Sequence, residues 1–424
     1  MYDRLLVVLN KDSQAMVLLG DFIFIALVNG SFAGYTVCIN RRKNIMKKKV
    51  LSLLMVAAMT AGMLAGCGSN AGNSANNGAD AADSDAANAD ATEKSDAADN
   101  AGDADTNTNT DASNIKIGMV TDIGGVNDGS FNQSSWEGLQ RAQSELGVSV
   151  DYLQSKADSD YIPNIETFVD EDYDLIICVG YQLADALRTE AEANPDQKFA
   201  IIDDATNADL DNVTCLMFEQ AQASYLVGYV AGLMTESNTI GIVIGMSTDT
   251  MNQFGYGYLA GAIDANPDVT VLQTNANSFG DTAGGKTAAT AMITKGADVI
   301  FHAAGATGLG VIEGCKEADI WAIGVDSDQS SLAPDNIITS AMKRVDNACY
   351  DISKEVLEGT LTNGVKTYDL TSGGVDIAPT TTNLPEDVIS AVEDVKAKII
   401  SGEITVPSTK DDFEAKYGDV YELD

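Results

Sequence analysis

The residues of this chain best suited to chemistry are aspartates placed where short apolar runs end. Asp122 follows the run Ile115 to Val120, the pair Asp203-Asp204 follows Phe199 to Ile202, and Asp326-Ser327-Asp328 follows Trp321 to Val325. Other run ends carry Gly180-Tyr181, Gly245-Met246 leading to Phe254, and Gly305-Ala306-Thr307-Gly308. A carboxylate at such a tip accepts hydrogen bonds from hydroxyls, and the rings of Phe131 and Phe254 are suited to sandwich a heterocycle. Any one Asp in this setting is more often a turn former. Their repetition at equivalent positions points to a polar cleft for a small, hydroxylated, aromatic molecule.

The segment Thr121 to Gln133 is the richest of these tips, with three glycines, Asp122, Asp128 and Phe131 ahead of a helical pattern through Trp136. Glycine lets backbone come close to a ligand, and Ser130 or Asn132 is placed to cap the helix. A plain strand-to-helix turn with a cap is the competing reading. The segment lacks the GxGxxG spacing of a dinucleotide fingerprint. Phe279, in Asn277-Ser278-Phe279-Gly280-Asp281, competes with Phe254 for the second ring, and Phe254 is preferred because it follows a strand tip directly. Lys343 closes the apolar run Ile337 to Met342, where a point charge suits a hydroxyl or carboxylate partner. His302, the one histidine, sits inside an apolar run and reads as a core residue rather than a base. Cys178 and Cys215 lie in strand-like runs, and Cys315 and Cys349 are not closely paired with them, so zinc is not expected. One disulfide stays open in an exported protein.

These side chains need a scaffold that gathers strand ends. The apolar runs already given, together with Asp174 to Gly180, Ile240 to Gly245 and Asp298 to Ala304, read as buried parallel strands. Between them, Trp136, Leu139, Ala142 and Leu146, and later Leu226, Tyr229, Val230 and Leu233, recur at helical spacing. The expected class is α/β, doubly wound, in two lobes, with ligand outside the carboxyl ends of the strands. A second series of units starts at Thr239, which puts the first crossing between lobes after the helix ending near Met234.

The chain has 424 residues, 63 Asp plus Glu against 25 Lys plus Arg, and a formal net charge of −38, which disfavours nucleic acid as a partner. From Met46 it reads MKKKVLSLLMVAAMTAGMLAGC, three lysines and an apolar stretch before small residues, the layout of a secretory signal. Leu64-Ala65-Gly66-Cys67 resembles the bacterial lipobox, which implies acylation of Cys67 and anchoring at a membrane face without a span. Residues 1 to 45, upstream of that complete signal, read as an over-extended start outside the fold, with a genuine first membrane segment as the lesser alternative. From Gly68 to Ser113 the chain has no aromatic residue, nine Asp, Glu93 and Lys94, and so reads as a flexible acidic tether.

Four segments together carry a family resemblance: VTDIGGVNDGSFNQSSWEGL (Val120 to Leu139), FGYGYLAGA (Phe254 to Ala262), ADVIFHAAGATGLGV (Ala297 to Val311) and ITSAMKRVDNACY (Ile338 to Tyr350). They resemble the basic membrane protein family of lipoproteins, over Asn114 to about Asp376. The resemblance implies a periplasmic-binding-protein fold of the sugar-binding type, with two Rossmann-like lobes, three crossovers and delivery of a purine nucleoside to an ABC transporter permease. It implies that Phe131 and Phe254 stack on the base, that Asp122 and Asn132 bond its edge, and that Asp326 and Lys343 hold ribose hydroxyls. Gly305 would bring backbone close, and Asp204 is carried over as a further ligand contact. No catalytic residue, cofactor or metal is expected, and the partners are nucleoside, permease and, through lipid on Cys67, the membrane, with the protein a monomer on the extracytoplasmic face. The expected boundaries are 46–66 for the signal, 67–113 for the tether, 114–237 with about 345–362 for the N-terminal lobe, and 238–344 with about 363–424 for the C-terminal lobe. The alternatives are a sugar or autoinducer receptor of the same fold, or a nucleoside-processing enzyme.

Overall fold

The computed structural model describes the backbone of three N-terminal strands and the chain from residue 112 to 423. The three strands, Arg4–Val8, Gln14–Leu19 and Phe22–Leu27, form an antiparallel sheet in a unit of its own, Met1–Gly102. The expected signal at 46–66, Cys67 and the tether as far as residue 111 lie outside the described residues. Among the described residues no helix is long and apolar enough to cross a membrane.

Runs of Ile, Val and Leu with both faces apolar demand cover on both sides, and the unit Asp103–Asp424 supplies it with two parallel-stranded sheets flanked by helices. The first sheet contains β1 (Lys116–Val120), β2 (Ser149–Leu153), β3 (Leu175–Val179), β4 (Lys198–Ile202), β5 (Val213–Phe218) and β11 (Gly364–Tyr368), in the order β11-β5-β4-β3-β1-β2 and parallel throughout. In β3, Leu175, Ile177 and Val179 face one core while Ile176 and Cys178 face another, the period of two that a two-sided strand requires. The second sheet contains β6 (Thr239–Ile244), β7 (Thr270–Asn275), β8 (Val299–Ala303), β9 (Trp321–Asp326), β10 (Ile337–Lys343) and β12 (Val375–Ile377), in the order β7-β6-β8-β9-β10-β12. Its last pair, β10 with β12, is antiparallel.

Helices α1 (Phe131–Leu146), α2 (Tyr161–Asp170) and α3 (Ala184–Ala193) belong with the first sheet, and α8 (Val345–Glu358) packs on α1. Helices α4 (Gln220–Met234), α5 (Asp249–Ala265), α6 (Thr282–Thr294), α7 (Ala306–Ala318), α9 (Glu386–Ile400) and α10 (Lys410–Tyr417) surround the second. The tightest pair is α4 with α5. A Cβ on Gly228 would sit 2.1 Å from the Tyr258 carbonyl oxygen, and one on Gly261 2.0 Å from that of Tyr225, so only hydrogen fits there.

Two lobe boundaries differ from the sequence expectation. Helix α4 packs on α5, β10 and β12, so the chain crosses to the second lobe at Glu219, between β5 and α4, rather than near Thr239. The apolar face of α4 is satisfied by the second sheet, which a periodicity count on that helix alone does not reveal. Likewise Gly364–Tyr368 pairs with β5 and belongs to the first sheet, where the C-terminal lobe had been expected from about 363. The other crossings lie at Arg344 and at residues 369–374. The crossing segments bond to each other, Glu219 N–H donating to the Tyr368 carbonyl at 2.9 Å and Arg344 N–H to that of Gly374 at 2.9 Å.

Candidate functional site

The carboxyl ends of β1, β3, β4, β8 and β9 converge on one cleft between the lobes. Asp203, just past β4, and Asp326, the last residue of β9, both take left-handed backbone, with φ of 67° and 64°. Neither is glycine, so each turn costs energy of order 1–3 kcal/mol that the surrounding structure offsets. The left-handed turns aim both carboxyls into the cleft. Gly180 after β3 takes a φ of 103°, a backbone conformation that residues with a side chain rarely adopt.

Asp122, Phe131, Asn132, Phe254, Gly305, Asp326 and Lys343 all line this cleft. Asp204 does not. The left-handed step at Asp203 turns that carboxyl inward and sends Asp204 away, where it accepts bonds from the Thr206 N–H at 2.8 Å and hydroxyl at 2.5 Å. Asp203 is the cleft residue of the pair. Phe254 and Phe279, alternatives for one ring position, both line the cleft.

Lys343 is 2% exposed and donates through Nζ to Asp203 Oδ2. Its ammonium also lies 4.9, 5.2 and 5.7 Å from the ring centroids of Phe131, Phe218 and Phe254, within cation–π range. Opposite, Asp122 Oδ1 accepts from Asn132 Nδ2 and from the Gly124 N–H, each at 2.8 Å. Burial pushes the Asp122 carboxyl up to about 6, against the lowering effect of those two bonds. Asp326 is pushed up to about 6 by burial as well, although Lys343 and the Ser130 hydroxyl pull it down. Two buried acceptors on this wall, Asn132 Oδ1 and Asp203 Oδ1, have no partner among the described residues. A buried unsatisfied acceptor is costly.

The sequence reading missed Asp128. Neither Ser130 nor Asn132 caps α1 through its side chain; Asp128 accepts from the N–H groups of Ser130, Asn132 and Gln133 at 2.9 to 3.0 Å and from Asn132 Nδ2 at 2.9 Å. Its Asp-Gly turn signal was legible, but its distance from the helix start was not. Met251 and Gln182 also line the cleft and carried no signal beyond their elements. His302 is fully buried, held neutral by burial with its pKa lowered to about 4, and its Nε2 meets Gln329 Oε1 at 3.0 Å. That amide oxygen only accepts, so Nε2 carries the proton. Among the described residues no group of His, Cys, Asp and Glu is arranged to hold a metal ion. Cys178, Cys215, Cys315 and Cys349 are free and buried.

The lobes touch across the cleft. Gln329 Nε2 donates to the Gly129 carbonyl at 2.8 Å, and the Ser130 hydroxyl donates to Asp326.

Known proteins place this architecture. The chain is 40% identical over 313 residues to the CD4+ T-cell-stimulating antigen of Listeria monocytogenes, covering 69% of this chain and 87% of that one. It is 38% identical over 316 residues to the ABC transporter nucleoside-binding protein BmpA of Lactococcus lactis, covering 69% and 89%. A crystal structure of an ABC transporter solute-binding protein from Aeropyrum pernix superposes with a TM-score of 0.66 at 30% identity, over 72% of this chain and 98% of that one. Residues 115–410 match the family described as ABC transporter substrate-binding protein PnrA-like. With two α/β lobes, a cleft at their strand ends and that match over most of its length, the chain belongs to the PnrA-like family of ABC transporter substrate-binding proteins.

Proposed function

We propose that the cleft binds a purine nucleoside and that the loaded protein hands it to its permease from a lipid anchor on the extracytoplasmic face. One observation carries the reading: phenyl rings from opposite lobes, Phe131 and Phe254, line a cleft whose remaining wall is rich in acceptors. The rings suit the two faces of a base. Asp122 and the unpartnered Asn132 Oδ1 suit N–H groups on its edge. Asp326 and Asp203, the latter held by Lys343, suit ribose hydroxyls. Contacts to both lobes at once give the closed form the differential affinity that a shift in population requires. The signal layout ending at Cys67 and the tether after it support the anchor.

Calorimetry with guanosine, inosine, adenosine, the free bases and ribose tests the reading. Nucleosides should bind at about micromolar or tighter, and Phe131→Ala should weaken them by about 1–3 kcal/mol, the range for a base on an aromatic platform. Unchanged affinity in that variant, or binding of sugars in place of nucleosides, overturns the proposal. Radiolabelled palmitate incorporated into wild type and absent from Cys67→Ser tests the anchor.

A further inference from the structure

Beside the cleft lies a second chamber of about 410 Å³, open to solvent, walled by Tyr181, Asp203, Asp204 and Thr206 of the first lobe and Thr248 and Asp249 of the second. It shares Tyr181 and Asp203 with the cleft. The two spaces adjoin at these residues, so a substituent carried past Asp203 would face this chamber. At the junction stands Asp203, 6% exposed, with an Oδ1 that has no partner among the described residues.

The chamber also receives the N terminus of α5, whose cap is Thr248, accepting from the Met251 N–H at 3.3 Å. Such a helix end attracts anions through its free N–H groups and dipole. Here that attraction is opposed. Asp249 occupies the first turn of α5, Asp204 lies in the first-lobe wall, and no Lys or Arg lines the chamber among the described residues. The one cation of the cleft among the described residues, Lys343, is already paired with Asp203.

We infer that this chamber is a charge filter, which admits neutral nucleosides and turns away their phosphate esters, with Asp204 and Asp249 as specificity-determining residues. The inference rests on the nucleoside reading above. A phosphate monoester brings about −1.5 to −2 charges at pH 7. Placed at the ribose end, it meets three carboxylates and, among the described residues, no free cation, and like charges so placed repel strongly. Neutral ligands feel none of this.

The test is calorimetry with guanosine, adenosine and their 5′-monophosphates on wild type, Asp204→Asn, Asp249→Asn and the double variant. In wild type each monophosphate should bind at least about 100-fold more weakly than its nucleoside, and the gap should narrow as salt is raised. The double variant should keep nucleoside affinity within about threefold and improve the monophosphate at least about tenfold, as the α5 N terminus becomes available to the anion. Each single variant should give part of that gain, which keeps the test intact if the double variant folds poorly. Monophosphates binding wild type within about threefold of nucleosides, or a gap unmoved in every variant while nucleosides still bind, overturns the filter alone. Absence of nucleoside binding in wild type overturns the nucleoside reading and the filter with it.

Discussion

Asp122 and Asp326 face the cleft with carboxyls that burial has pushed up to about 6 from an ordinary value near 3.8. The folded protein therefore holds more protons than the unfolded chain between those values, and its stability without ligand should fall as pH rises through that window. Above about 6 the cost of two buried charges is complete. Ligand binding should run the opposite way, because the base N–H groups proposed for Asp122 and the ribose hydroxyls proposed for Asp326 would donate to ionised carboxylates, and affinity should drop below pH 6. Melting temperatures and calorimetry at pH 5 and 7 check both slopes, with Asp326→Asn expected to flatten each. Parallel slopes, or an unchanged variant, would contradict the assignment. At this scale the sequence was readable wherever a residue stood at a strand tip. It misled where one left-handed step decided the direction, as at Asp203 and Asp204, because adjacent aspartates carry no mark of which φ is positive.

The second ring of the cleft is held in place by a helix with little freedom. Met251 and Phe254 lie on α5, which is pressed against α4 on one side through Gly257 and Gly261, and on another against Tyr421, whose ring occupies the space a Gly255 Cβ would need. Tyr421 also donates to Asn252 Oδ1 at 2.8 Å. Gly261→Ala improves helix propensity by about 1 kcal/mol, yet its methyl would overlap the Tyr225 carbonyl, and overpacking costs typically 1–3 kcal/mol. The clash should win, and denaturant melts should show net destabilisation of up to about 2 kcal/mol; a stabilised variant would mean the helices separate freely. The buried strands β1, β3, β4, β6, β8 and β9 were legible as apolar runs because both their faces are covered. The strands β2, β7 and β11 were not, since as edge strands they leave many positions half-buried or exposed and read as polar segments. The lobe of α4 was illegible for a related reason: a helix buried nearly all round records that it is covered, not by what.

Across the whole folded unit, closure rests on few bonds. Gln329 donates across the cleft to Gly129, while its Oε1 serves the Val325 N–H at 3.0 Å and His302, so one side chain ties the β9 tip to the opposite lobe. Gln329→Leu should shift the protein toward a more open form, with a larger radius of gyration in X-ray scattering before ligand is added. It should also weaken affinity for the proposed nucleoside about three- to tenfold, the effect of one net hydrogen bond. An unaltered radius together with unaltered affinity would show that the lobes meet without its help.

Because the three crossings run side by side and are bonded to one another, no one of them holds the lobes together alone. A protease that cuts one connection would leave two halves still joined, still hinged about the same axis and still able to trap their cargo. Damage to a single connection would therefore spare the cleft.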